Sequence, residues 1–425
     1  MDMMTYHEAL SYLKTLNPMG IRLGLEEIRA LLVRLGNPQD AYPSVLIAGT
    51  NGKGSVAAMA SSILNAAGFK TGLYTSPDLI DFRERIRING DMITPQRAVA
   101  CLETVKKNVT ETVSYFEFVT AMAFLHFQQQ KIDIAVLEIG MGGRLDATNV
   151  VDAPVSVVTN ISREHEEYLG RTLERIAYEK GGIIKEKGIC ITAAKQKPVI
   201  AVLEKICASR QANLYRMGRE FHTSVHGDRM FSYHGLTRQF KGLKSPFIGR
   251  HQITNAGLAL AVIETLSASG FKISDDAIHE GLEHARWEGR LEVVQRSPLF
   301  VLDGAHNPAG VATLCRALEK DFTYQRLILV FGVMGDKNYR LMAKRLLPLA
   351  DVVILTSPPS ERALAPEILH PIAVEFNKNI EIIVNPGDAL RRAFELARNT
   401  DLICVAGSLY LVGEIKKVYR GVKGF

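Results

Sequence analysis

At 425 residues the chain exceeds an ordinary single domain and calls for two or three. Its 47% hydrophobic and 23% charged residues give the balance of a globular protein with a sizeable core, which excludes intrinsic disorder. A net charge of only +6, no nucleic-acid motif, no apolar run near ~18 residues and five scattered cysteines (101, 190, 207, 315 and 404) argue against a nucleic-acid binder, a membrane protein, a zinc site and a disulfide scaffold. The first residues show no basic segment followed by an apolar one, so a cytoplasmic location is expected.

Residues 5–16 and 25–35 are amphipathic; in the second, Leu25, Ile28, Leu31, Leu32 and Leu35 recur at helical spacing until Gly36-Asn37-Pro38 ends the pattern. A glycine-containing segment, 19–24, lies between them. The apolar run 45–48 then leads into Gly49, Thr50, Asn51, Gly52, Lys53, Gly54 and Ser55, and a helical pattern over 56–67 leads out. Strand, glycine loop and helix in that order form a cradle for nucleotide phosphates. The glycines let backbone N–H groups close on oxygens, the helix N-terminus favours an anion, and Lys53 adds a mobile positive charge. Gly49 is separated from Gly52-Lys53 by two residues, where the common ATPase pattern has four, so a general pattern search misses this loop.

Strands are expected at 71–75, 132–138 and 154–159, with a helix over 116–130. Alternating strands and helices predict a mostly parallel sheet whose functional groups gather at the carboxyl ends of its strands. Ser76 follows one strand, Glu138 ends the next and His165 lies beyond the third. A hydroxyl, a carboxylate and an imidazole beside a phosphate loop suit a divalent cation bridging phosphate oxygens, although a lone carboxylate or imidazole at such a position is more often an ordinary loop or structural residue. Arg83, Arg85 and Arg87 alternate at period two, which suggests one face of an extended segment, either solvated or holding an anion.

A helix is expected over 173–185 and a strand over 189–193, followed by short alternating runs over 213–240 that suggest a small antiparallel excursion. Residues 249–255, with His251, Gln252 and Asn255, precede an alanine-rich helix and read either as its polar start or as a nucleotide contact. The helical pattern breaks near 287–290, a short joint over 286–293 is expected to be a hinge, and strands at 299–302, 326–331, 352–355, 380–384 and 402–405 predict a second, doubly wound domain. Asp303-Gly304-Ala305-His306-Asn307-Pro308 follows its first buried strand and Ser408-Leu409-Tyr410 its last. Both are ligand positions in α/β domains, and Asp303 and Asn307 could equally be helix caps. The expected fold class is α/β. A P-loop-type, mostly parallel domain with the antiparallel excursion occupies 1–290, and a Rossmann-like α/β domain occupies 291–425.

These pieces together resemble the folylpolyglutamate synthase and bifunctional dihydrofolate synthase family, within the Mur-type ATP-dependent amide ligases. The resemblance runs from Gly20-Ile21-Arg22-Leu23-Gly24-Leu25 to Gly407-Ser408-Leu409-Tyr410. It is most specific in the phosphate loop, Tyr74-Thr75-Ser76-Pro77, Glu84-Arg85-Ile86-Arg87, residues 137–149, Glu179-Lys180, His251-Gln252 with Asn255, and residues 303–308. It implies that Lys53 and the loop amides hold ATP phosphates, that Mg²⁺ sits at Ser76, Glu138 and His165, and that Lys180 matches a lysine carbamylated in this family. It further implies that Asn255, Arg290 and Asp303 belong to the ATP site and that His306 and Ser408 meet the incoming glutamate. The folate or pteroate pocket is expected near 76–82 and 140–149, with Asp78 and Arg85 on the acceptor.

The implied reaction adds L-glutamate to dihydropteroate and to reduced folates through an acyl phosphate, in a monomer that binds small molecules and neither nucleic acid nor membrane. No covalent protein nucleophile is required. Three positions depart from the family's usual pattern: Asp78 where histidine is frequent, Glu164 before His165 where aspartate is frequent, and Glu288 before Gly289-Arg290 where proline is common. Asp78 is expected to place a negative charge near the pterin. The competing readings are polyglutamylation alone, a Mur-like ligase with another acceptor, and a nucleotide-switched binding protein. The last leaves the loops at 303–307 and 408 unexplained.

Overall fold

The computed structural model describes residues 4–16, 24–227 and 229–422, so most of the expected segment 19–24 lies outside the described residues. The chain divides into two compact units. One draws on residues up to Asp78, Phe82–Pro246 and Ile253–Arg286, the other on Leu79–Asp81, Phe247–Gln252 and residues from Trp287 onward.

In the first unit, β1 (Ser44–Ala48), β2 (Thr71–Tyr74), β3 (Ile86–Ile88), β4 (Asp91–Met92), β5 (Ile134–Glu138), β6 (Val155–Val158), β7 (Ile189–Thr192) and β8 (Asn213–Arg216) form one sheet. Its order is β4-β3-β2-β5-β1-β6-β7-β8, and only the β2–β3 and β3–β4 pairs are antiparallel. Strands β1, β5 and β6 are buried along their whole length, which is why they read as unbroken apolar runs. Strand β1 lies at the point where the chain stops adding strands on one side and begins adding them on the other. Its carboxyl end therefore opens the crevice where such sheets bind ligands.

Helix Lys53–Ala66 follows β1 and is buried from Gly54 to Ala60 because it is covered on both sides. Helix Asp275–His284 crosses it so closely that a Cβ on Gly281 would lie 2.4 Å from the Ile63 Cα, and Ser62 Oγ donates to the Gly281 carbonyl at 2.6 Å. Helix Tyr115–Gln130 is capped by Ser114 and Glu117 and buries Phe118, Phe124 and Phe127. An apolar surface on all sides is what a helix enclosed by other elements requires.

Two expectations are corrected here. The excursion is shorter than 213–240 implies: β8 joins the main sheet parallel to β7, and only β9 (His222–Val225), β10 (Met230–His234) and β11 (Gln239–Lys244) form the antiparallel sheet. The arginine row is not one extended segment, since Phe82–Arg85 is a 3₁₀ turn and only Ile86–Ile88 is strand. The turn swings Arg85 inward, where it is buried.

The second unit holds β12 (Glu292–Arg296), β13 (Leu299–Leu302), β14 (Leu327–Phe331), β15 (Val352–Leu355), β16 (Ile380–Ile382) and β17 (Leu402–Ala406), in the order β12-β13-β17-β14-β15-β16. All pairs are parallel except β12–β13. Alternate residues face opposite cores: Leu327, Leu329 and Phe331 pack into one, Ile328 and Val330 into the other. Helices on both faces cover these cores, as doubly wound folds require. Among the described residues, no helix is long and apolar enough to cross a membrane.

Candidate active site

The phosphate loop is held from below by the end of β6. Thr50 N–H donates to the Asn160 carbonyl at 2.9 Å and Asn51 N–H to Asn160 Oδ1 at 3.1 Å. Thr159 Oγ1 and Asn160 Nδ2 in turn donate to the Asn51 carbonyl at 2.7 and 2.9 Å. Gly49 has φ +142°, and a Cβ there would fall 1.9 Å from Thr159 Oγ1. Gly52 has φ +87°, and a Cβ there would fall 2.5 Å from Asn255 Oδ1, so Asn255 sits against the loop. Only glycine fits either position.

Lys53 opens the following helix, and its ammonium donates to the loop's own carbonyls at Gly49 (3.2 Å) and Thr50 (3.5 Å). Lys180 Nζ donates to the Gly49 carbonyl at 3.0 Å and pairs with Glu164 Oε1 at 2.8 Å. Burial opposes the Glu164 charge, but Lys180 and Lys53 outweigh it and hold the carboxyl down to about 2. Burial pushes the Lys180 ammonium below its usual value, Glu164 opposes that shift and Lys53 reinforces it. Lys53 and Lys180 thus bring two ammonium groups to the loop's own carbonyls, with Glu164 paired to Lys180.

The glycine-rich loop after β5 is clamped by Asp146, whose carboxylate accepts from Met141 N–H (2.8 Å), Thr148 N–H (3.0 Å) and Thr148 Oγ1 (2.6 Å). Burial raises the Asp146 pKa and these bonds oppose the rise. Arg144 pairs with Glu179 at 3.0 Å, beside Lys180 in sequence, and thereby fastens the loop to the helix Leu173–Gly181.

Ser76 and Glu138 are brought together: the Ser76 N–H donates to Glu138 Oε2 at 3.3 Å, and Glu138 is buried at the end of β5. His165 lies next to Glu164 with φ +44°, an uncommon conformation for a non-glycine residue. Among the described residues no three His, Cys, Asp or Glu side chains gather as a metal cage. The Ser76 hydroxyl and the Glu138 carboxylate are oxygen donors of the kind a hard cation takes when water and phosphate oxygens complete its shell, the habit of Mg²⁺. Asp78 does not stand as an isolated negative charge. Arg85 Nε pairs with its Oδ1 at 2.5 Å, and the same guanidinium lies 5.3 Å from the Tyr115 ring centre.

In the second unit Asp303 is buried and accepts from Leu291 N–H and Ala305 N–H, both at 2.9 Å. Burial raises its pKa, while Arg290 and these amides oppose the rise. His251 is pushed down to about 4, first by burial and then by Arg290. His306 Nδ1 lies 2.8 Å from the Gly304 carbonyl, and Asn307 caps helix Pro308–Lys320 through Gly310 N–H at 2.8 Å. Gly407 N–H donates to the Ala305 carbonyl at 3.1 Å, which sets the loop carrying Ser408 beside the loop carrying His306.

Residues 47–263 match the Mur ligase middle domain, and residues 289–409 match the Mur ligase glutamate ligase domain. The dihydrofolate synthase/folylpolyglutamate synthase of Bacillus subtilis is 34% identical over 426 aligned positions, covering 97% of this chain and 98% of the relative. The chain belongs to the dihydrofolate synthase/folylpolyglutamate synthase family of Mur ligases. FolC of Escherichia coli in complex with DHPP and ADP shares its structure with a TM-score of 0.92 at 31% identity, covering 99% of each chain. The Yersinia pestis bifunctional folylpolyglutamate synthase/dihydrofolate synthase with Mn, AMPPNP and L-glutamate bound gives 0.88 at 30%, covering 98% of each chain.

Within this Mur ligase framework, sequence reasoning missed several residues. Thr159 and Asn160 follow an apolar strand as Ser76 does, so the strand-end rule that singled out Ser76 could have found them. Glu164 was noted only as a departure, yet it is the partner of Lys180. Glu264, inside helix Arg250–Ala268, carried no local signal. Its carboxylate accepts from Leu236 N–H (2.8 Å), Arg238 N–H (2.7 Å), Tyr233 OH and Thr237 Oγ1 (both 2.9 Å), and the Thr237 N–H.

Proposed function

We propose that the chain joins L-glutamate to dihydropteroate and to reduced folates at the expense of ATP, through an acyl phosphate. The observation that carries this reading is the glycine loop with Lys53 and Lys180 at its carbonyls, beside the Ser76–Glu138 contact, in a chain that also contains a glutamate ligase domain. An acceptor carboxylate oxygen attacks the γ-phosphorus of ATP and ADP leaves. The glutamate amine then attacks the acyl carbon, inorganic phosphate departs and the nitrogen loses a proton.

In this proposal the amides of the 49–55 loop and Lys53 hold the transferring phosphoryl group, with Asn255 fixing the loop's shape. Ser76, Glu138 and His165 would hold Mg²⁺, which when bound neutralises charge on the phosphate oxygens. Arg290 and Asp303 serve the nucleotide, and His306 and Ser408 orient glutamate. The paired Asp78 and Arg85 present a charge-balanced surface to the acceptor, which removes the conflict that Asp78 alone would pose for a pterin. Activation is assigned to residues 1–290 and glutamate delivery to residues 291–425.

The test is ADP release by the purified chain with Mg·ATP and L-glutamate, adding either dihydropteroate or a reduced folate. Both acceptors should stimulate turnover. Stimulation by neither above the ATP-only rate would refute the reading. Lys53→Ala and Glu138→Ala should each abolish turnover while leaving the unfolding transition in place, and a near-normal rate in either would remove its assigned role.

A further inference from the structure

The antiparallel sheet β9–β11 has one face in the core and one face open. Phe231, Tyr233, Phe240 and Leu243 are buried, and the Glu264 carboxylate ties down the turn between β10 and β11. On the open face His222 and His234 sit directly opposite each other in the β9–β10 register. Their rings stack with centroids 4.5 Å apart and planes 9° from parallel. His222 is exposed and His234 half-buried, so solvent reaches the pair. The third histidine of this region, His226, is engaged elsewhere, its Nε2 lying 2.8 Å from Ser232 Oγ.

We propose that His222 and His234 form a surface site for a borderline first-row divalent cation, Zn²⁺, Ni²⁺ or Cu²⁺, with one nitrogen from each imidazole and water in the remaining positions. Imidazole suits these ions, whereas Mg²⁺ prefers oxygen, so this pair is chemically distinct from the Ser76, Glu138 and His165 set. Metal–nitrogen bonds of about 2.0–2.1 Å place two adjacent ligand nitrogens about 3 Å apart. Each nitrogen lone pair lies in its own ring plane, so the rings must turn out of their parallel stack to aim at one ion. The directly opposed positions His222 and His234, with Cβ atoms about 4.5–5.5 Å apart as cross-strand partners, allow that turn without moving the backbone. Strand pairing and the Glu264 clamp have fixed the backbones in advance, so little ordering remains to oppose binding. His226 lies just past the end of β9, and its Nε2 is held by Ser232 Oγ rather than by the pair.

The test is calorimetric titration of tag-free full-length protein with Ni²⁺, in excess Mg²⁺ to occupy oxygen-rich sites. The wild type should bind one more equivalent of Ni²⁺ than the His222→Ala/His234→Ala double variant. Each single variant should lose at least tenfold in affinity at that site, and His226→Ala should match the wild type. Should His234→Ala fail to fold, the more exposed His222→Ala carries the comparison. The proposal is overturned if wild type and double variant bind the same number of equivalents, if His222→Ala retains full affinity, or if His226→Ala loses as much as His222→Ala.

Discussion

Gly49→Ala tests whether the phosphate loop depends on its contact with the end of β6. With φ at +142°, any side chain at this position is strained, a cost of about 1–3 kcal/mol. The new methyl would also fall 1.9 Å from Thr159 Oγ1, forcing that hydroxyl off the Asn51 carbonyl it meets at 2.7 Å, at about 1 kcal/mol. The sum, about 2–4 kcal/mol, is within reach of a domain stable by roughly 5–15 kcal/mol, so the variant should fold. Urea unfolding should show that loss, and calorimetry should show Mg·ATP binding weakened at least tenfold, since 1.4 kcal/mol is a factor of ten. Thr159→Ala removes the closest contact and leaves the residue's Cβ and amide nitrogen at 3.0 Å. The double variant should therefore be less destabilised than the two singles combined, with a coupling of about 1 kcal/mol. Strict additivity, or unchanged ATP binding in Gly49→Ala, would refute the reasoning.

Three further outcomes are expected. Arg85→Ala should raise KM for the pteroate or folate acceptor with little change in KM for ATP. It should also lower stability by about 2 kcal/mol in urea unfolding, a figure kept small because Asp78 is still reached by water. Glu264→Gln should cost at least about 3 kcal/mol by the same assay, because a buried carboxylate accepting five donors is replaced by a group that itself donates. His126 is buried, its Nδ1 has no hydrogen-bond partner, and its pKa is pushed down to about 4 by burial, then by Arg97 and Lys70. A folded pKa below the unfolded value near 6.5 gives stability that is full above pH ~6.5 and lost as pH falls towards ~4, up to about 3 kcal/mol. His126→Gln should therefore flatten the acid limb of a stability–pH profile, and an unchanged limb would count against this account.

Burial on both faces is what made the parallel strands legible. It demands apolar residues at every position, so β1, β5, β6, β14 and β17 stand out as runs. Strand β12 escaped notice for the complementary reason: all of Glu292–Gln295 is half-buried, no run forms, and the segment reads as a joint. Strand β8 is an edge strand with an exposed first residue and half-buried successors, so its polar character suggested an excursion rather than membership of the main sheet. The expected helix over 173–185 ends at Gly181, where the close approach of Arg144 leaves no room for a Cβ on Gly182.

The site divides along a similar line. A glycine's backbone freedom and a lysine's charge are properties of the residue itself, so the 49–55 loop could be read directly. A buried charge is defined by its partner, and partners are set by the fold. Asp78 reads from sequence as a negative charge because it stands where the family often has histidine, and period-two alternation separately puts Arg83, Arg85 and Arg87 on one extended face. The 3₁₀ turn Phe82–Arg85 breaks that face and returns Arg85 to Asp78, only seven residues away. Glu164 looked like a lengthened aspartate, yet its reach meets Lys180, which holds the Gly49 carbonyl 131 positions earlier in the chain. Two of the three departures from the family's usual residues thus act in pairs, Asp78 with Arg85 and Glu164 with Lys180. Substituting either acid alone tests a broken pair, so a return to the family's usual histidine at Asp78 is informative only when Arg85 is changed with it.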